Sequence, residues 1–253
     1  MLWAFVKVDA DNSRLFQETG GVISGMDLDS SFRPQALSNI LWSFAKSGKA
    51  NPELFGVLGD HIVARRLNDF QPQALSNIAW ALATAGVSHP VLFKKIGDHV
   101  SGLGILDSFK PQDLSNIAWS FATAGDSHSE LFKKMGDHIA DQETGGVISG
   151  MDLDSFKPQA IANILWSFAK SSEVDPELFQ ALGNHIVTRS VNDFWPQDVS
   201  NIVWAYAAAG VSHPELFKEI GDHVAGQDSL NSFKPAGLVR LNSFDSQALS
   251  NIA

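Results

Sequence analysis

A short string, Phe-x-Pro-Gln, recurs along this chain and constrains the fold more than any other feature. It places prolines at intervals of 38, 39, 47, 38 and 39 residues: Pro34, Pro72, Pro111, Pro158, Pro196 and, in the altered copy Phe-Lys-Pro-Ala, Pro235. A period of this length is typical of a supersecondary unit that is stable only when it stacks on its neighbours. The sequence therefore predicts a tandem array rather than one closed core.

Each repeat contains two runs of apolar residues with helical spacing. In the repeat that begins at Pro34, the first run is Leu37, Ile40, Leu41, Phe44 and Ala45, and the second is Leu54, Phe55, Leu58 and Ile62. Such spacing places each run on one face of an α-helix. Pro34 suits the first turn of helix A and Gly48 suits its end, while Asn51-Pro52 suits the start of helix B. The predicted fold class is all-α, an α-solenoid of helical hairpins of about 38 residues.

The repeats predict a single α-solenoid over residues 1–253. Its parts are a partial repeat with a Gly-rich loop (1–33), full repeats at 34–71, 72–110, 111–157, 158–195 and 196–234, and a decayed or partial repeat at 235–253. Both ends match the middle of a repeat, so we expect a fragment of a longer array. Because the segment 17–30 reappears as 142–155, we expect Gly-rich loops at 20–25 and 145–150.

Composition excludes several classes of function. There is no Cys, which excludes disulfides and thiolate chemistry. No apolar run approaches the roughly 20 residues of a membrane span, and the G-x-S-x-G and H-E-x-x-H motifs are absent. We therefore expect no enzyme activity, no cofactor and no membrane partner. The net charge of −10 argues against loose, salt-driven adhesion to nucleic acid.

The polar face of helix A is the predicted binding surface. An Asn recurs on this face in every full repeat, although Asn is unfavourable in helix interiors. Its amide either reads base edges or binds neighbouring backbone or an adjacent repeat. The positions that vary, Ser43, Lys46 and Arg33 with their equivalents, are the better candidates for sequence readout. The predicted RNA-binding residues are Gln35, Asn39, Ser43, Lys46, Gln73, Asn77, Thr84, Gln112, Asn116, Ser120, Thr123, Gln159, Asn163, Ser167, Lys170, Gln197 and Asn201.

Tryptophan and histidine also recur once per repeat. Base stacking by the Trp residues is conceivable, but we expect them to pack between neighbouring helices A; they are Trp3, Trp42, Trp80, Trp119, Trp166 and Trp204. Trp195 lies outside this row and is expected to be exposed. One His row lies in helix B (His61, His99, His138, His185, His223) and another in the turn after helix A (His89, His128, His213). No repeat supplies a local ligand pair, so we expect structural roles and no metal site.

The segment from Pro72 to Gly86, Pro-Gln-Ala-Leu-Ser-Asn-Ile-Ala-Trp-Ala-Leu-Ala-Thr-Ala-Gly, followed by His89-Pro90-x-Leu92-Phe93, resembles an octotricopeptide repeat. That family is related to the RAP-domain and FAST-kinase-like organelle proteins, and the resemblance covers nearly the whole chain. It implies sequence-selective binding of single-stranded RNA in chloroplasts or mitochondria, acting on transcript stability, processing or translation. It also implies that helix A lines the RNA-facing groove.

A second function remains open, in which the groove binds a peptide or a partner helix and the chain is a protein-interaction scaffold. The charge of the helix A face distinguishes the two hypotheses. A basic face within an acidic protein favours RNA, whereas an acidic or apolar face favours protein.

Overall fold

The computed structural model describes residues 2–7, 13–26, 28, 32–140 and 151–226. These residues are all-α: they form α-helices and short 3-10 helices, and no strand. The helices are α1 (Leu2–Lys7), α2 (Ser13–Ser24), α3 (Pro34–Lys46), α4 (Pro52–Ala64), α5 (Pro72–Ala85), α6 (Pro90–Ser101), α7 (Pro111–Ala124), α8 (Ser129–Ala140), α9 (Pro158–Lys170), α10 (Pro176–Arg189), α11 (Pro196–Ala209) and α12 (Pro214–Gly226). None of them is long and apolar enough to cross a membrane.

The alternation of helix A and helix B is confirmed in the described residues. From α3 onward, each odd-numbered helix is a helix A that begins at the predicted proline, where no backbone N–H partner is required. Gly86, Gly125 and Gly210 end three of these helices with φ near +65°, and Gly48 has the same conformation just after α3. A left-handed residue at this position closes the last helical turn, and Gly adopts it without strain.

Two compact units divide the chain, Met1–Met135 and Gly136–Ala253. In the first, the helices A (α1, α3, α5 and α7) lie side by side, and α2, α4 and α6 form a second layer. In the second, α9 packs on α11 and α10 packs on α12. Within each unit, consecutive helices A pack side by side, and so do the B helices α2, α4 and α6 and the pair α10 and α12, which is the stacking expected of an α-solenoid.

Aromatic pairs join consecutive repeats within each compact unit. A Phe of helix B meets an aromatic residue of the next helix A edge to face, with ring centroids 5.1 Å apart, in the pairs Phe16–Phe44, Phe93–Phe121 and Phe179–Tyr206. All six side chains are buried. Burying one such side chain contributes about 1.5–3 kcal/mol, and the edge-to-face geometry adds about 0.5–1.5 kcal/mol. These contacts supply a large part of the cohesion between hairpins.

The predicted Gly-rich loop at residues 20–25 is wrong, because α2 continues through this segment as far as Ser24. Phe16, Gly20 and Ile23 form its buried stripe. A Cβ on Gly20 would be in van der Waals contact with the Phe44 ring, 3.4 Å away, so this residue faces helix A and does not form a turn. The segment is therefore helix B of the first repeat.

Two other predictions concern residues outside those that the structure describes. They are the second Gly-rich loop, at 145–150, and the decayed repeat at 235–253.

Candidate functional site

Each helix A from α3 onward presents one narrow stripe toward solvent. In α5 the stripe consists of Gln73, Asn77, Trp80 and Thr84, which follow one another at i, i+4, i+7 and i+11 and therefore share a face. The Gln and the last residue are exposed, whereas the Asn and Trp are half-buried. The equivalent stripes are Gln35, Asn39, Trp42, Lys46; Gln112, Asn116, Trp119, Thr123; Gln159, Asn163, Trp166, Lys170; and Gln197, Asn201, Trp204, Ala208.

Three of the predicted binding residues do not belong to this face, so their assignment is wrong. Ser43, Ser120 and Ser167 are fully buried. Their hydroxyls donate to the backbone carbonyls of Asn39, Asn116 and Asn163 over 2.5–2.6 Å. In α3 the cause is that α1 and α5 flank the helix on both sides while α4 also packs against it. Its exposed sector is therefore narrower than the polar half of a surface helix.

The side-chain amides of the stripe are coupled to one another. The Nε2 atom of Gln donates to the Oδ1 atom of the Asn one turn later, over 3.0 Å from Gln35, 2.9 Å from Gln112 and 3.2 Å from Gln197. An Asn amide carries one acceptor oxygen and two N–H donors. The bond uses Oδ1 and fixes the amide plane, which leaves Nδ2 as an oriented donor.

Four of the Trp side chains pack between neighbouring helices A, as predicted for the row. The ring centroids of Trp42 and Trp80 are 6.3 Å apart and those of Trp166 and Trp204 are 6.1 Å apart, with the rings tilted by 33° and 36°. In the five helices A from α3 to α11 the Trp is half-buried, so part of its surface also faces solvent next to the amides. The i, i+4, i+7 spacing places Trp and the amides on one stripe, so the two predicted rows form a single surface.

Charge is distributed unevenly between the two helix layers. The B helices α2, α4, α6, α8, α10 and α12 together carry ten carboxylates, and nine of them are exposed. The helices A from α3 to α11 carry two, Asp113 and Asp198, and each is only 5% exposed. The net charge of −10 therefore does not apply to the helix A stripe.

The two helix A carboxylates serve the fold. Asp113 and Asp198 accept the backbone N–H of Lys110 and Trp195, at 3.1 and 3.2 Å, and so cap α7 and α11. Asp113 also accepts the Ser76 hydroxyl of the preceding helix A at 3.2 Å. Burial raises the pKa of Asp198, and the N–H of Trp195 partly opposes this effect. Burial of the ionised carboxylate therefore opposes folding at neutral pH; this cost begins to fall as pH drops through the raised pKa and is gone below the pKa of the unfolded chain.

The three turn histidines have structural roles that join successive B helices. The Nδ1 atom of His89 accepts the Leu92 N–H and caps α6, while Nε2 lies 3.4 Å from Asp60 of α4. The ring rests on Gly59, where a Cβ would lie 2.2 Å from it. His128 makes the same three contacts, with the Leu131 N–H, Asp98 and Gly97. His213 makes them with the Leu216 N–H, Asn184 and Gly183.

The helix B histidines are half-buried, and burial lowers the pKa of His99 and His185. In the described part of the chain, no three His, Asp or Glu side chains converge as metal ligands would.

Comparison with known proteins gives no match, either to a protein-family model or to a curated protein.

Proposed function

We propose that this protein binds single-stranded RNA along the exposed stripes of its helices A. The observation that carries the proposal is the recurrence, in five consecutive helices A, of an exposed Gln, an Asn and a half-buried Trp on one face. Amides donate to and accept from base edges, and indole faces stack on bases of any sequence. The spacing of one such stripe per repeat suits a strand that places successive bases on successive hairpins.

The charge distribution supports the same proposal. Phosphate contacts supply much of the affinity of RNA-binding proteins, so an acidic binding face would oppose binding. The helix A stripes have no exposed carboxylate, and three cations precede their first prolines: Arg33, Lys110 and Lys157. Because the face is neutral to basic within an acidic protein, RNA is favoured over a basic peptide as the ligand.

We further propose, on the resemblance to octotricopeptide repeats, that the protein acts in chloroplast or mitochondrial gene expression. Its substrates would be transcripts whose stability, processing or translation depends on a bound protein. The repeat motif supports this part of the proposal, and the packing geometry bears only on the binding face.

The test is filter binding of a random single-stranded RNA pool to the full chain at low salt. Replacing Gln73 and Asn77 together by Ala removes the amides of one stripe. We expect affinity to fall by roughly tenfold, since two hydrogen bonds are worth about 1–2 kcal/mol together. The melting temperature should change little, because Gln73 is exposed and Asn77 half-buried.

Gln17→Ala is the matched control, because Gln17 is an exposed amide on α2, a B helix. We expect it to leave RNA affinity unchanged. The proposal fails if the unaltered chain does not retain RNA at low salt, or if the control weakens binding as much as the α5 variant. Capture of an acidic or apolar peptide instead of RNA would support the scaffold function.

A further inference from the structure

The Lys and Arg side chains of the described residues fall into two classes. Those on the B helices are engaged within the protein: Arg14, Lys94 and Lys218 each pair with a carboxylate four residues later. Lys134 and Arg189 reach back about one repeat and donate to backbone carbonyls. These cations hold one hairpin to another or neutralise a neighbouring carboxylate.

The second class has no hydrogen-bond or ion-pair partner among the described residues. Its members lie at the ends of helices A or in the adjoining turns: Arg33, Lys46, Lys49, Arg66, Lys110, Lys157 and Lys170. A chain with 28 acidic and 18 basic residues offers many carboxylates for pairing. The cations near the helix A face nevertheless remain unpaired, which makes that face locally more positive than the net charge indicates.

The unpaired cations are concentrated on particular helices. In the first compact unit, α3 has Arg33 immediately before it and Lys46 as its last residue. In the second, α9 has Lys157 and Lys170 at the same two positions. The next helix A in each unit is uncharged there, with Gln71 and Thr84 at α5 and with Trp195 and Ala208 at α11. In each unit, a helix A with cations at both ends is therefore followed by one with a cation at neither end; α7, also in the first unit, has a cation only before its first proline, Lys110.

We infer that α3 and α9 are the phosphate-anchoring helices of the two compact units, each binding two backbone phosphates of single-stranded RNA through its end cations. The neighbouring α5 and α11 then contact bases without phosphate anchors. This inference rests on the proposed function. Arg33 and Lys46 are 13 residues apart, which corresponds to about 20 Å along the helix. The two cations therefore contact phosphates several nucleotides apart, not adjacent ones.

The chain provides its own test substitutions, because α5 shows which uncharged residues fit these positions. In the double variant Arg33→Gln/Lys46→Thr, α3 acquires the end residues of α5. For single strands, each phosphate contact contributes about 0.7 to the slope of log affinity against log salt. We expect this slope, measured with a labelled random-sequence RNA in the full chain, to become shallower by about 1.4. Lys157→Gln/Lys170→Thr in α9 should have the same effect.

Lys94→Gln/Lys218→Gln is the control, since it removes the same net charge from B helices where both cations are already paired. Its slope should equal that of the unaltered chain. A shallower slope in the control as well, or an unchanged slope in the α3 variant while the unaltered chain still binds RNA, overturns this inference alone. Failure of the unaltered chain to bind RNA at any salt overturns the proposed function, and this inference with it. Melting curves confirm that each variant is folded.

Discussion

Replacing Gly59 by Ala is expected to destabilise the protein, whereas replacing Gly56 by Ala, less than one turn earlier in α4, is expected to stabilise it. A Cβ on Gly59 would lie 2.2 and 2.4 Å from ring atoms of His89, so the ring must move. Moving the ring removes the cap of α6 and the contact between His89 and Asp60. We expect this to lower the free energy of unfolding by about 1–3 kcal/mol. A Cβ on Gly56 meets nothing within 4 Å, and Ala favours a helix interior over Gly by up to about 1 kcal/mol.

Chemical unfolding followed by circular dichroism measures both changes against the unaltered chain. The double variant Gly59→Ala/His89→Asn tests the mechanism, because Asn51 already caps α4 with a shorter side chain. We expect the double variant to recover most of the stability that Gly59→Ala loses. Shifts of the same sign in the two single variants, or no recovery in the double variant, would show that the His89 ring does not join α4 to α6.

Replacing Phe93 by Ala is expected to lower the free energy of unfolding by about 3–5 kcal/mol, more than Gly59→Ala does. The reason is the cavity that it leaves between consecutive hairpins. Phe93 is 2% exposed and meets Phe121 of the next helix A edge to face. Phe217 holds the same position in α12 but is 40% exposed. Phe217→Ala should therefore cost less than half as much, because fewer contacts are lost.

Urea titrations of the two variants under identical conditions give the comparison. Equal losses would mean that the Phe of helix B acts within its own hairpin and that stacking between hairpins contributes little. A large loss confined to Phe93→Ala would locate the cohesion of the array in the contacts between repeats, as the three edge-to-face pairs indicate.

The hairpins were predictable because their signals are local. Each helix A from α3 onward begins at its proline, and the apolar spacing within one helix fixes which residues face helix B. Leu37, Leu41 and Phe44 are all fully or almost fully buried, as their spacing predicts. The burial of Ser43 was not predictable from that spacing, since it results from the flanking helices A, which one helical stripe does not reveal.

The loop prediction at residues 20–25 was wrong because it considered the Gly-Gly pair without the residues that precede it. In the first repeat, the string Gln-Glu-Thr-Gly-Gly follows Leu15-Phe16 directly, so it continues a helix B. Its second copy instead follows α8, a helix B that already contains its own pair, Leu131-Phe132. Gly-Gly favours a loop when it is considered alone, but Gly20 occupies the position that Gly59 and Gly97 hold after their Leu-Phe pairs. Alignment of the Leu-Phe pairs would have revealed the helix.

The contact between the turn histidines and the B helix glycines required the three-dimensional structure. His89 and Gly59 are 30 residues apart, and neither residue alone predicts a partner in another repeat. The small width of the exposed stripe in α3 likewise required the structure, because α1 and α5, which flank the helix, set that width.

Photo-crosslinking would show whether RNA binds along the row of helix A stripes. The full chain is irradiated with a random single-stranded RNA pool containing 4-thiouridine, and the crosslinked peptides are identified by mass spectrometry. We expect crosslinks in helix A peptides, at residues such as Trp80 in α5 and Trp119 in α7. Crosslinks confined to B helices such as α4 and α6 would contradict this expectation.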